Sequence, residues 1–351
     1  MASKPLGENA DQGYRRVVIS KYGGPEVLQL IHEPALPEPG PGEVRIRVRA
    51  TSVAFTDTLI RRGLYPATRR QPMPLTPGYD VVGVIDARGE GATRFAVGEM
   101  VADLTATGGY AEFICLPEDR LTPVPEGVDP AEAVAMILSG ITAYQMLHRI
   151  AQVQPGQRVL IHGAGGAVGS ALLQLGKSMN LTMFATASAS KHDLLTAQGA
   201  VPIDYTRENA EDVIRATGQG LDAAFDATTA GSFHRSFSLL RRGGTLVWYG
   251  MMLDRVPLWR KLLTPLLLGL VMVRGLVSPS KMLRFYSIAA LRKAHPDWFR
   301  DDLSALLQRL AEGKVTPVIE RRIDLSEVQQ AHRDIEAARV RGKLVITMNE
   351  P

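Results

Sequence analysis

Gly163, Gly165, Gly166 and Gly169 carry the most specific chemical signal in this 351-residue sequence. The apolar run RVLIH passes directly into GAGGAVG, and SALLQLGK follows with helical spacing. Glycines between a strand and a helix let the backbone turn tightly and approach a pyrophosphate. The helix start supplies unpaired N–H groups and the positive end of a dipole. Glycines alone are a weak sign, but with a strand before and a helix after, Gly163 to Gly169, including Ala167 and Val168, read as a dinucleotide-binding turn.

An NAD site of this kind places a carboxylate about 20 residues on, where it holds the ribose hydroxyls. Here the corresponding stretch is Thr186, Ala187, Ser188, Ala189, Ser190 and Lys191, with Arg207 after the next strand. Hydroxyls and cations without a carboxylate suit a ribose phosphate, so the expected cofactor is NADPH. The plainer alternative is that Ser188, Ser190 and Lys191 only form a polar turn ahead of the helix KHDLLTAQGA.

Several function classes are disfavoured. The one cysteine, Cys115, allows no internal disulfide and no thiolate metal cluster, and it points to a reducing compartment. Forty basic residues against 36 acidic ones, a net charge of +4, are scattered without a long basic run. That distribution suits anionic small ligands and argues against nucleic acid. The opening MASKPLGENADQGYRR lacks the apolar core of a signal peptide, so a short disordered lead-in and a cytoplasmic location are expected.

The elements that must position these residues form two patterns. From Tyr14 to about Pro125, short strand-like segments such as RRVVISKY, EVRIRVRATSVA and DVVGVIDARG are separated by Gly and Pro. Near Pro130 the pattern changes to AEAVAMILSGITAYQMLHRI, a helix. Buried strand-like runs then alternate with helices, which is how an α/β, doubly wound parallel Rossmann sheet is written. The tail, from DWFRDDLSALLQRLAEG to KLVITMN, is assigned back to the strand-rich part. The expected division is 1–130 catalytic (with about 1–14 disordered), 131–275 nucleotide-binding and 276–351 returning to the catalytic domain. One uncharged run, Leu262 to Val273, is shorter than the ~20 residues of a membrane span and contains Pro265 and Gly269. It reads as buried core or a subunit interface, with a substrate lid or membrane-touching loop as the alternative.

The motifs TSVAFTDTLIRRGLYP, LTPGYDVVGVI, ILSGITAYQML, VLIHGAGGAVG and AFDATTAG, in that order, resemble the zinc-free quinone oxidoreductase and enoyl reductase-like branch of the medium-chain dehydrogenase/reductases. The resemblance spans about Val17 to Met348 and implies a GroES-like catalytic domain interrupted by the Rossmann domain. Where zinc-dependent relatives carry metal ligands, this sequence has Ala54, Phe55, Tyr79, Asp80 and Leu138; a catalytic zinc needs three protein ligands. Without a Lewis acid the acceptor must already be electrophilic: an enone, enal or enoyl group, or alternatively a quinone.

The resemblance also implies that Asp57 through Tyr65 line the nicotinamide pocket. Tyr65 is the candidate donor to a developing enolate, Tyr79 the second choice, and Arg274 a cleft-lining cation. Tyr65 could instead simply pack, and Asp57 could hold its own loop through backbone N–H groups. The expected cofactor contacts also include Thr142, Tyr205 and Gly250. Ala54 and Leu59 replace more polar residues of the quinone reductases and favour a hydrophobic substrate. A homodimer is expected through the last sheet strand, near Leu270 to Val273. His162, His332 and Cys115 are read as structural. A reading of another class is an NADPH-binding, membrane- or cargo-associated protein with little turnover.

Overall fold

The computed structural model describes residues 13–251 and 258–348. In chain order the elements are β1 (Tyr14–Val18), β2 (Gln29–Glu33), β3 (Glu43–Val53), α1 (Phe55–Arg61), β4 (Val81–Arg88), β5 (Met100–Asp103), β6 (Phe113–Pro117) and β7 (Thr122–Pro123). Then come α2 (Pro130–Gln145), β8 (Arg158–Ile161), α3 (Ala167–Ser178), β9 (Thr182–Ala187), α4 (His192–Ala197), β10 (Val201–Asp204), α5 (Ala210–Arg215), β11 (Leu221–Asp226), α6 (Ala230–Leu239) and β12 (Leu240–Trp248). The chain closes with α7 (Leu258–Val277), β13 (Met282–Phe285), α8 (Ile288–Ala294), α9 (Pro296–Ala311), β14 (Ile319–Ile323), α10 (Val328–Glu336) and β15 (Lys343–Thr347).

Two compact units result: Met1–Ile137 with Arg321–Val340 and Leu344–Pro351, and Leu138–Glu320 with Arg341–Lys343. The first is built on a seven-stranded sheet of order β14-β15-β3-β4-β5-β7, with β6 also paired to β3. Strand β3 is the branch point of that sheet. Its alternating Val44, Ile46, Val48 and Ala50 are all buried, and it pairs antiparallel with β4, β6 and β15. Period-two alternation of this kind puts one face of a strand into the core.

The second unit is a six-stranded sheet of order β10-β9-β8-β11-β12-β13, with every neighbouring pair parallel. The order reverses between β8 and β11, the topological switch point at which doubly wound sheets bind ligands. Leu160, Phe184, Phe225, Phe233 and Leu246 are nearly or fully buried around it. Burial of such a side chain contributes roughly 1.5–3 kcal/mol.

Three features differ from the sequence reading. The second unit extends to Glu320 rather than ending at 275, because β13 pairs parallel with β12 and completes the sheet. The run from Leu262 to Val273 is neither a loop nor fully buried core: it lies inside the continuous 20-residue helix α7, which passes through Pro265. Proline removes one i→i−4 bond and crowds the preceding turn, a local cost that the surrounding turns of the helix absorb here. The edge strand at that end of the sheet is therefore Met282–Phe285, and a strand-mediated dimer contact near Leu270 to Val273 has no strand to use.

His332 on α10 is fully buried in the first unit, with Nε2 3.2 Å from the Tyr110 hydroxyl. Burial, assisted by the nearby Arg61 charge, pushes its imidazole down to about 3. Protonation therefore favours the unfolded chain. The neutral ring's stability is fully present above the ordinary histidine value of 6.5 and is lost as pH falls towards 3, at up to about 1.4 kcal/mol per pH unit. Urea unfolding at a series of pH values should show a shallower acid loss between pH 6.5 and 4 in His332→Gln than in the parent chain. Equal slopes would refute this.

Candidate functional site

The second unit holds the glycine turn where the sequence places it. Gly163 adopts φ +63°, the left-handed region that favours glycine, and a Cβ there would meet only open space, where a ligand can approach. A Cβ on Gly169 would stand 2.5 Å from Ala164 Cα, so the helix can lie against the turn only with glycine at that position. A Cβ on Gly165 would collide with the Lys191 side chain. Gly166 is the N-cap of α3 and offers no side-chain cap, which leaves the first N–H groups, including those of Ala167 and Val168, for a ligand. This cradle fits a dinucleotide pyrophosphate.

Beneath the turn lies a polar anchor. The Gly163 N–H donates to Thr186 Oγ1 at 3.2 Å. The His162 ring sits between that hydroxyl and Ser236 Oγ, at 3.2 and 3.0 Å. Asp226 Oδ2 accepts from Ser232 and Ser236 hydroxyls at 2.6 and 3.3 Å. His162 is thus satisfied by side chains rather than by the backbone contacts expected of a strand-end residue.

The polar rim follows β9, which ends at Ala187. Ser188 Oγ and Ser190 Oγ are 3.2 Å apart and exposed. Lys191 Nζ donates to the Gly165 carbonyl at 3.5 Å, tying the rim to the turn. Arg341, which the sequence reading missed, donates from Nη2 to the Ser190 carbonyl at 2.7 Å. It arrives from the far end of the chain, 151 positions away, carried on the segment whose Gly342 bridges Gly166. No local spacing signals it. Tyr205 is 62% exposed, and the Arg207 side chain is exposed with Nε 3.9 Å from Asp204 Oδ2. Asp204, the carboxylate at the end of β10, accepts from the Thr206 N–H and hydroxyl, which hold its pKa below the usual range.

Two other expected cofactor residues are engaged by near neighbours in the chain. The Thr142 hydroxyl donates to the Leu138 carbonyl at 2.7 Å within α2. The Gly250 carbonyl accepts from Trp248 Nε1 at 2.7 Å, and a Cβ there would come within 3.3 Å of Ala227.

In the first unit, Tyr65 and Tyr79 are joined hydroxyl to hydroxyl at 2.6 Å, with their rings edge to face at 5.7 Å. Burial raises the Tyr65 phenol, the Tyr79 hydrogen bond opposes this, and the Asp57 charge adds to the rise. A phenol held in this way stays protonated at neutral pH and can donate. Asp57 is fully buried, and its two oxygens accept from the Ala54 N–H at 2.8 Å and the Gly78 N–H at 3.2 Å. It therefore clasps the start of α1 to the residue before Tyr79, the positioning role weighed for it in the sequence.

Arg274 is expected from the resemblance as a cleft-lining cation. Instead it lies in the last turn of α7, before β13, and Nη1 approaches His234 Nε2 at 2.8 Å on the second unit's surface. Cys115 lies on β6 with its thiol pushed up to about 11 by burial, an environment that suits packing rather than nucleophilic attack.

Ala54, Phe55 and Leu138 offer no ligand atoms for zinc. Asp80, which could, is fully buried and accepts from the Ser52 N–H and hydroxyl at 2.8 and 2.7 Å. Among the described residues no group of three or more His, Cys, Asp or Glu could hold a metal ion. The donor set does not fit a catalytic zinc.

Comparison with known proteins gives the same frame. The sequence matches the family described as alcohol dehydrogenase GroES-like domain over residues 40–126 and that described as zinc-binding dehydrogenase over 197–346. It is 38% identical over 241 residues to the synaptic vesicle membrane protein VAT-1 homolog of Rattus norvegicus, covering 68% of this chain and 59% of that protein. The match thus spans about three fifths of that relative's length. It is 31% identical over 338 residues to a quinone oxidoreductase of Pseudomonas aeruginosa, covering 95% and 99% of the two chains. Among solved structures, the mycobacterial protein Rv1454c complexed with NADPH superimposes with a TM-score of 0.81 at 29% identity, covering 95% of this chain and 100% of that one.

Proposed function

This chain belongs to the medium-chain dehydrogenase/reductase superfamily, in its quinone oxidoreductase-like branch, and from that premise we propose that it is an NADPH-dependent, zinc-independent oxidoreductase that reduces an activated C=C bond of an enone, enal or enoyl compound. The observation that carries the proposal is the glycine turn with its cationic rim: Gly163 to Gly169 at the α3 N-terminus, with Lys191 and Arg341 tied to the same few residues. The bound nicotinamide supplies hydride.

The residues of this chain supply the rest. The α3 N-terminus and the turn's N–H groups receive the pyrophosphate, and Lys191, Arg341 and the serine hydroxyls receive the ribose phosphate. Tyr65, kept neutral by burial, donates a proton or hydrogen bond to the oxygen on which charge develops, the α carbon taking its proton from the resulting enol or from water, and Tyr79 orients the Tyr65 hydroxyl. Asp57 positions the loop carrying Tyr79. Ala54 and Leu59 present apolar side chains where the quinone reductases carry more polar ones, which favours a hydrophobic acceptor.

A second reading, NADPH quinone reduction with the same residues, is supported by the name of the Pseudomonas aeruginosa relative. The test is oxidation of NADPH and NADH, followed at the nicotinamide absorbance, against enals, enones, enoyl thioesters and quinones, with a chelator present. Turnover with NADPH and an alkene acceptor, unaffected by the chelator, is expected. Turnover with quinones alone favours the second reading, and NADPH binding without turnover of any acceptor overturns the enzymatic one. We also propose a homodimer, with β13, one of the sheet's two edge strands, as its pairing element.

A further inference from the structure

His162 follows β8 directly, and its ring is set among hydroxyl groups whose hydrogens can be placed by counting donors and acceptors. Asp226 Oδ2, a carboxylate oxygen, only accepts, so the Ser232 and Ser236 hydroxyls at 2.6 and 3.3 Å both donate to it. A hydroxyl has a single hydrogen. Ser236 Oγ, its hydrogen already engaged, therefore accepts from His162 Nε2 at 3.0 Å, and Nε2 carries the ring's proton. Nδ1 of the neutral ring is then an acceptor, and the Thr186 hydroxyl donates to it at 3.2 Å. Thr186 Oγ1 in turn accepts from the Gly163 N–H at 3.2 Å. With the proton on Nδ1 instead, the Thr186 hydrogen has no acceptor among the described residues.

Gly163 to Thr186, Thr186 to His162, His162 to Ser236 and Ser236 to Asp226 thus form one chain whose hydrogens all point towards the carboxylate. Bonds aligned in this way polarise and strengthen one another, most of all away from water, and Thr186, Ser236 and Asp226 are at most 3% exposed. The two ends of the chain hold two separate backbone segments. Thr186 holds the glycine turn, taking the Gly163 N–H on its hydroxyl and the Ala164 N–H on its carbonyl at 2.9 Å. Asp226 holds the loop after β11, its Oδ1 accepting from the Thr228 N–H and hydroxyl at 2.8 and 2.7 Å. These segments follow β8 and β11, the neighbouring strands at the switch point, and so flank the crevice in which a doubly wound sheet takes its ligand. Glycine at φ +63° has the widest conformational freedom of any residue, so the geometry of the turn rests on what its N–H groups bind.

We propose that His162 is a positioning residue for the dinucleotide: through Thr186 on one side and Ser236 and Asp226 on the other, it locks the glycine turn to the loop after β11 in the form that receives the pyrophosphate. The inference rests on the dinucleotide-binding reading of the turn and adds to it a part for the side chains beneath. The pyrophosphate is common to NADPH and NADH, so loss of this chain weakens both by the same factor, whereas loss of Lys191 and Arg341 acts on NADPH.

The test is calorimetric titration of NADPH and NADH into the parent chain, His162→Leu, Thr186→Val and Thr186→Ser, with circular dichroism and melting curves of each taken without cofactor. His162→Leu and Thr186→Val break the chain while keeping most of the side-chain volume, and each should raise the Kd of both cofactors about tenfold. Thr186→Ser keeps the hydroxyl and should bind both within about twofold of the parent. The double variant His162→Leu/Thr186→Val should bind no more weakly than the weaker single one, since both substitutions remove the same chain. In turnover the change should fall on KM for the cofactor. A merely structural role would lower Tm and leave the Kd of the folded chains unchanged. Parent-like affinity in folded His162→Leu and Thr186→Val therefore overturns the proposal, as does a loss confined to NADPH. Should His162→Leu not fold, Thr186→Val against Thr186→Ser decides by the same measure. A parent chain that binds neither cofactor overturns the dinucleotide reading itself, and this proposal with it.

Discussion

Replacing Lys191 and Arg341 together with alanine should weaken NADPH binding by about two to four powers of ten and leave NADH binding almost unchanged, because each charge-assisted hydrogen bond to a phosphate is worth roughly 1.5–3 kcal/mol. The two cofactors differ only in the ribose phosphate, so the selectivity of the loss reports where these cations act. Lys191 reaches across to the Gly165 carbonyl, and Arg341 holds the Ser190 carbonyl at 2.7 Å, so both stand at the rim that Ser188 and Ser190 form. Arg341 is exposed and Lys191 half-buried, so their removal should cost the fold little. Titration of both cofactors by fluorescence or calorimetry checks this. If NADPH and NADH weaken equally, the cluster is only a polar turn ahead of α4, and cofactor preference lies elsewhere.

Tyr65→Phe should lower kcat by about a hundredfold or more while leaving NADPH affinity intact, since a positioned general acid contributes about 10²–10⁴ in rate. The ring and its edge-to-face packing on Tyr79 survive the substitution, so the loss isolates the hydroxyl. Tyr79→Phe should give a smaller loss, because it removes only the partner at 2.6 Å that orients and eases ionisation of the Tyr65 phenol. The Tyr65 phenol lies above its ordinary value of 10, so the parent kcat should show no tyrosine titration through the neutral range. Steady-state rates with the acceptor found most active provide the measurement. Full activity in Tyr65→Phe with every acceptor would reduce Tyr65 to a packing residue.

The sequence by itself determined whatever depends on neighbours along the chain. The buried strand RVLI, the glycine turn and the start of α3 are consecutive, and the turn requires glycine for local steric reasons at Gly163 and Gly169, so the cradle was legible residue by residue. The alternation of Val44, Ile46, Val48 and Ala50 likewise announced a strand with one buried face. The missing carboxylate after β9 was equally plain.

Tertiary structure decided whatever depends on residues that meet across the fold. Arg341 reaches Ser190 only because the returning chain runs beside the glycine turn, and no period or spacing records that approach. Tyr65 and Tyr79, 14 positions apart, meet hydroxyl to hydroxyl, while Asp57 clasps the backbone at Ala54 to that at Gly78. Composition could read Leu262 to Val273 only as apolar. Which side of that helix faces a core is settled by Phe233, Phe237 and Leu246 beneath it, since hydrophobicity is a property of residues and burial a property of their neighbours.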